Sequence, residues 1–253
     1  MGIDVHEKFV GAQTMRWKIK RNLLSFAVMA STLFAIGCLI IRTGPQEDLG
    51  YDYFEEMHPR DSWQGKIERW QERALEHDFS SLLTSSEDMT FPFGNGLSLK
   101  TKEMREEHLN TYNTATLAQR RALIQLISNW IHEVAKEHYY ADGPIDDWAT
   151  PDEVFRWNGD DCDGLASLVF YLLREMGFPE GTVFNSFLYR TSDGKHHMFT
   201  LWFEDRENPW IIDSTGAMSS EAIRSSDLTG WRPLRTFSLA ESYTVERRRR
   251  GIF

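Results

Sequence analysis

A thiol, an imidazole and a carboxylate follow one another in this 253-residue chain as Cys162, His197 and Asp213. Of the two cysteines, Cys38 falls in an apolar segment and Cys162 does not. Cys162 stands between Asp161 and Asp163 and opens an apolar-periodic run of Leu165, Leu168, Val169, Leu172 and Met176, which places it at a helix N-terminus. Backbone N–H groups and the helix dipole favour a thiolate there. The flanking aspartates oppose it, so an imidazolium partner is needed to hold the nucleophile charged. His196 and His197 are the candidates, and strand alternation lets only one face a given side. His197 shares a face with Phe199, Leu201 and Phe203, the more apolar face, expected to pack on the Cys162 helix. His196 shares the other with Met198, Thr200 and Trp202. The reading therefore takes His197. Asp213 ends the next strand, where its carboxylate would fix the imidazole tautomer and stabilise the charged ring. This order suits acyl chemistry through a thiol. A zinc site from the same residues lacks any H-x-x-x-H or C-x-x-C spacing.

The elements that must position these residues are readable around them. Asp61 caps a helix with Trp63, Ile67, Trp70 and Ala74 at helical spacing, a stripe read as packing. A strong helix runs from about Leu117 to Tyr139, with Leu123, Ile124, Ile127, Trp130, Ile131 and Val134 on one stripe. Thr150-Pro151-Asp152-Glu153 is a helix start, with Thr as N-cap, Pro at the first helical position and Glu closing a capping box. The Cys162 helix ends at Gly177 and Pro179. The period then changes to that of strands: Thr182–Arg190, a turn at Ser192–Lys195, His196–Glu204, and a short strand at Trp210–Asp213. Helices followed by a strand meander give an α+β fold with an antiparallel sheet.

Residues 147–153 (Asp-Trp-Ala-Thr-Pro-Asp-Glu), Gly159-Asp160-Asp161-Cys162-Asp163, His197-Met198 and Trp210-Ile-Ile-Asp213 resemble the bacterial transglutaminase-like cysteine proteinases. Ser226-Asp227-Leu228 through Phe237-Ser238 is also similar to that family's end, so the likeness spans roughly residues 115 to 240. The resemblance implies a transglutaminase/papain-like domain and a Cys162–His197–Asp213 triad of nucleophile, base and orienting acid. It implies periplasmic protease activity on large surface adhesins, with a calcium requirement. By the same likeness Asp161 and Asp163 match the acidic pair that contributes to the metal site, and carboxylate oxygens suit Ca²⁺. On the residues alone, the two aspartates are helix caps. The chain departs from the family at Gly164 and Leu165, where a second acidic residue and an aromatic usually stand. The same site would also serve acyl transfer from glutamine side chains, and a non-catalytic envelope scaffold is a third reading. For the oxyanion hole the backbone N–H of Cys162 is the first choice, with the side chains of Trp157 or Asn158 as others.

Composition and topology bound the setting. Hydrophobic residues are 41% and charged residues 26%, enough for a packed core. Lys plus Arg is 28 against 38 Asp plus Glu, a net charge of −10, which argues against a nucleic-acid partner. Leu23 to Ile41 carries no charge and at helical rise spans roughly 28 Å, the thickness of a bilayer core. Basic residues Lys8, Arg16, Lys18, Lys20 and Arg21 precede it, which points the N-terminus to the cytosol and the remainder outward. A retained signal anchor is preferred over a cleaved signal peptide or lipidation at Cys38. The expected plan is a basic cytoplasmic N-terminus over 1–22, a transmembrane helix over 23–41 and a linker over 42–60. The protease domain follows over 61–245, with a basic tail over 246–253. The domain would face the periplasm from the inner membrane, with a protein substrate of the envelope as partner.

Overall fold

A computed structural model describes residues 50–76, 96–141 and 147–248. The apolar run at 23–41, with Cys38 inside it, lies outside the described residues, as does the turn expected at Asp142-Gly-Pro. Among the described residues no helix is long and apolar enough to cross a membrane. In chain order the elements are β1 (Tyr51–Glu56), α1 (Gln64–Glu76), α2 (Gly96–His108), α3 (Thr111–Thr114), α4 (Leu117–His138), α5 (Pro151–Trp157) and α6 (Cys162–Glu175). Then come β2 (Val183–Arg190), β3 (His196–Trp202), β4 (Trp210–Ile212), β5 (Ile223–Arg224), a 3-10 turn at Ser225–Asp227, β6 (Trp231–Phe237) and β7 (Ser242–Arg247).

The fold is α+β. Seven strands form one sheet in the order β1-β7-β6-β2-β3-β4-β5, and every pairing is antiparallel. The sheet curls until its edge reaches back over its middle: Tyr53 of β1 meets Phe203, just past β3, with ring centroids 5.4 Å apart. Its inner face therefore builds a core of its own from Tyr51, Tyr53, Phe184, Leu188, Phe199, Leu201 and Val245. The helices cover the outer face. There Leu97, Ile124, Ile127, Ile131, Leu168, Val169 and Leu172 pack with Trp202 and Ile212. Helix α6 is the centre of this layer, buried at every position from Asp163 to Leu173. Its hydrophobic residues run all round because sheet and helices enclose it.

Two expectations are corrected. The linker expected over 42–60 contains β1, which pairs with β7 from Tyr51↔Arg247 to Glu56↔Tyr243. Its tyrosines alternate into the inner core, the period of a half-buried strand. The domain therefore begins before residue 61, and the residues expected as a basic tail begin inside β7. The faces of β3 are also the reverse of the expectation. Met198, Thr200 and Trp202 pack against α6, with Thr200 Oγ1 donating to the Ala166 carbonyl at 2.9 Å. His197, Phe199 and Leu201 face the inside of the curl. A curled sheet buries both faces of its middle strands, so relative hydrophobicity does not identify the helix side.

One charged clamp ties the helical layer to the sheet. Glu204, just past β3, accepts from Arg121 Nε of α4 (2.8 Å), Trp210 Nε1 (2.8 Å) and Arg224 Nη2 (3.0 Å). The Arg121 hydrogen bond leads in holding its carboxyl down at about 2, against the opposing effect of burial, with Trp210 and Arg224 adding to it. Glu204→Gln removes the charge from four such bonds, since Arg121 also donates through Nη2 to Oε1. It is expected to cost about 1–3 kcal/mol, read as a fall in Tm of about 3–8 °C. A Tm unchanged from wild type would show that the clamp contributes nothing to stability.

Candidate active site

The site is assembled where α6 begins, β3 begins and β4 ends. Cys162 is the first residue of α6, half-buried. Asp161 caps the helix, its Oδ1 accepting from Asp163 N at 3.1 Å. The cap is approached through a tight turn, Asn158-Gly159, whose conformation the sequence dictates. Asn158 and Gly159 both have positive φ, at 60° and 149°. A Cβ on Gly159 would lie 2.1 Å from the His138 carbonyl. That close approach lets Asp160 N donate to His138 O (3.0 Å) and Tyr140 N donate to Asp160 O (3.1 Å), so the end of α4 is stitched to the residues before the thiol. Upstream, Thr150 and Glu153 form the expected capping box, with Pro151 opening α5.

His197 is the second residue of β3 and is buried. The β3–β4 register pairs Thr200 with Ile212, and by extension Phe199 with Asp213. His197 is then the diagonal neighbour of Asp213 on the same face, within side-chain reach. Its Nε2 donates to Asp213 Oδ1 at 2.8 Å. Trp231 of β6 lies against the imidazole at 5.5 Å between ring centroids, and the Arg190 guanidinium lies over the same Trp231 at 5.5 Å. His196, the alternative, points to the helix side, against Trp63 and Phe187.

Asp213 is almost fully buried, at 1% exposure, and each of its oxygens is satisfied. Besides His197, Oδ1 accepts from Thr215 N (3.0 Å) and Thr215 Oγ1 (3.2 Å), and Oδ2 accepts from Met218 N (2.6 Å). Burial pushes this carboxyl up. The His197 hydrogen bond and charge, with the Met218 and Thr215 N–H groups, outweigh burial and hold it at about 2. The next residue reaches Cys162: Ser214 Oγ donates to its carbonyl at 3.3 Å. One dipeptide thus touches both the imidazole and the backbone of the thiol residue. Cys162 and His197 line a single cleft of about 910 Å³, walled by α4, the β2–β3 hairpin, the loop after β4 and Trp231. With Nε2 committed to the carboxylate, Nδ1 is the ring nitrogen left for the thiol.

The expected metal residues have structural tasks as well. Asp161 is the cap, and Asp163 Oδ1 accepts from Ala149 N at 3.0 Å, holding the Trp148–Thr150 segment against α6. Ligand atoms of Asp160, Asp161 and Asp163 lie within 4.8 Å of one another. Asp160 is the member that the sequence reading left out, although it stands in the same acidic run. The glycine at 164 has a physical reason: a Cβ there would lie 2.2 Å from Asp160 Oδ2 and 2.6 Å from Val154 Cγ2. No set of histidines and cysteines converges on a metal position among the described residues, so the zinc idea gains no support. Trp157 and Asn158 do not line the cleft; Asn158 instead accepts from Leu97 N through Oδ1 and from His138 Nδ1 through its carbonyl. Two further residues went unread: Ser214, and His132 of α4, whose Nε2 donates to the Asp213 carbonyl at 2.6 Å.

No protein-family model and no curated protein matches the chain. Among solved structures, Legionella pneumophila LapG is similar at 15% identity and a TM-score of 0.49, over 70% of this chain and 85% of that one. The calcium-bound form of LapG is similar at 14% identity and a TM-score of 0.47, over 74% and 92%. The EGTA-treated form gives 15% and 0.49, over 70% and 84%. Overlaps this loose say nothing about chemistry, which has to be argued from the side chains above.

The depressed Asp213 carboxyl makes a signed prediction. Its contribution to stability is fully present above the ordinary carboxylate range and is lost as pH falls from about 4 to about 2, as the native state takes up the proton. That contribution is roughly 2–3 kcal/mol. In acid titrations of Tm, Asp213→Asn should fall less steeply than wild type across this window. Parallel curves would show that Asp213 does not carry the difference.

Proposed function

We propose that the chain is a transglutaminase-like cysteine protease that cleaves a protein substrate through Cys162, His197 and Asp213. The observation that carries the reading is the buried His197–Asp213 hydrogen bond opening, with Cys162, onto one cleft. The Cys162 thiolate, sited at a helix N-terminus, attacks the scissile carbonyl carbon, and the oxyanion forms at the same positive end of the α6 dipole. The imidazolium of His197 gives its proton to the leaving amine as the C–N bond breaks, leaving a thioester on Cys162. His197 then takes a proton from water, the hydroxide oxygen adds to the thioester carbon, and the thiolate departs with the acid released. Asp213 keeps its charge throughout, fixing the tautomer and stabilising the imidazolium.

Calcium belongs to the same proposal. Asp160, Asp161 and Asp163 offer an all-oxygen, anionic donor set of the kind hard divalent cations take, and they would hold the ion. Bound there, Ca²⁺ would offset the carboxylate charge gathered around Cys162. The uncharged run 23–41 with its basic N-side flank supports an anchor in the inner membrane, with the domain in the periplasm and an envelope protein as substrate.

Two measurements test the reading. Iodoacetamide labelling of Cys162, followed by peptide mass, should slow about 100-fold in His197→Ala. Cys162→Ala should lose all cleavage of an unfolded protein such as casein. Full cleavage by Cys162→Ala would end the proposal, and amine incorporation into glutamine without hydrolysis would move it to acyl transfer. For the metal, millimolar Ca²⁺ should raise the wild-type Tm by about 5 °C and leave an Asp160→Asn, Asp161→Asn double variant unmoved. Equal shifts in both would remove these residues as ligands.

A further inference from the structure

Helix α4 presents a polar seam to the segment that carries the acid. Arg121, Gln125 and His132 fall within about 40° of one another around the helix axis. Arg121 holds Glu204. Gln125 holds Ala222 twice, donating to its carbonyl at 2.7 Å and accepting from its N–H at 3.2 Å. Between these two pins the chain passes through β4 and the 213–218 loop, and there His132 makes the third bond. It differs in kind from the others, because it lands on the Asp213 carbonyl itself (2.6 Å), with the ring beside Gly216.

We infer that His132 is a positioning residue for the Asp213–His197 pair; the inference rests on the triad reading above. The carboxylate is held by donors from its own loop, Thr215 and Met218, so those bonds set it only relative to that loop. Something outside the loop must set it relative to His197. β4 is three residues long and ends at Ile212, so the ladder stops one residue short of the acid. His132 supplies the missing external contact at that residue, from a helix whose Leu123, Ile124, Ile127 and Ile131 are locked in the core. Because a carbonyl only accepts, His132 must carry its proton on Nε2. Without that bond the peptide of Asp213 is held from outside only through its neighbours, β4 before it and the Ser214–Cys162 bond after it, and a displacement of about 1 Å at the carboxylate lengthens the His197 bond out of hydrogen-bond range.

The test uses the full-length chain with His132→Phe, which keeps a ring and loses the donor, and His132→Gln, which keeps an N–H at similar reach. Gln125→Leu serves as the control for a general weakening of the seam. Two readouts are taken: the downfield proton resonance of His197 Nε2–H in its bond to Asp213, and the rate of iodoacetamide labelling at Cys162. His132→Phe should lose the resonance and slow labelling about tenfold, and His132→Gln should restore both. Gln125→Leu should lower Tm while keeping the resonance. A resonance and rate unchanged in His132→Phe would overturn the inference, as would the same losses in Gln125→Leu. If labelling of wild type is indifferent to His197→Ala, the triad reading fails instead, and the resonance in His132→Phe still decides the positioning.

Discussion

The structure around the cleft depends on a buried carboxylate being made comfortable. Asp213 has almost no contact with water, and an isolated charge in that position would cost several kcal/mol. Its protonation is prevented by four donors, His197 Nε2, Thr215 N, Thr215 Oγ1 and Met218 N. Satisfying them dictates the surrounding geometry. The 213–218 loop must fold back on the carboxylate, His197 must present Nε2, and β3 and β4 must keep the register that makes residues 197 and 213 diagonal neighbours. The polar interaction therefore fixes a conformation that apolar packing on the inner sheet face would tolerate in several variants.

The turn before Cys162 meets a different constraint, the crowding of acidic groups. Three aspartates surround Cys162, and each is tied to its surroundings, two through the side chain and one through the backbone. Asp161 caps α6, Asp163 holds Ala149, and Asp160 joins through its backbone to His138 and Tyr140. Two glycines make the crowding sterically feasible. Gly159 lets the chain pass against the His138 carbonyl, and Gly164 leaves the room that the Asp160 side chain occupies. The glycine at residue 164 is thus coupled to Asp160: a larger side chain at 164 and the present Asp160 rotamer would occupy the same space.

How much of this was legible follows from the range of each interaction. The Thr150–Glu153 box, the start of α6 and the β2–β3 hairpin are local, and the chain announces them within a few residues. The pairing of His197 with Asp213 needed only strand alternation and one register. His197 does meet Asp213, but not on the face expected for it: that face packs inside the sheet, and the helix side belongs to Met198 and Thr200. Curling of the sheet is a long-range property, and it buries both faces, which removes the contrast that alternation relies on. The same curling gives β1 its partner, nearly two hundred residues away at β7, so no nearby pattern marks residues 51–56 as part of the domain. His132 and Ser214 act through single bonds to backbone carbonyls, and a carbonyl has no signature in a sequence.

Proton inventory around His197 narrows what the cleft can do. Nε2–H is spent on Asp213, so any proton exchanged with a thiol or a substrate passes through Nδ1. When Nδ1 is protonated the ring is a cation paired with a buried anion, and the pair is locally neutral. When Cys162 is then a thiolate, the site holds one more negative charge, with Asp161 beside it. A thiolate at Cys162 would thus sit in an anionic surrounding, where helix N–H groups favour it and the aspartates oppose it. A cation held by the three carboxylates would shift that balance toward the thiolate without touching the triad. Electrostatics alone therefore couples the acidic turn to the Cys162 thiol, over the one peptide bond that separates Asp161 from Cys162.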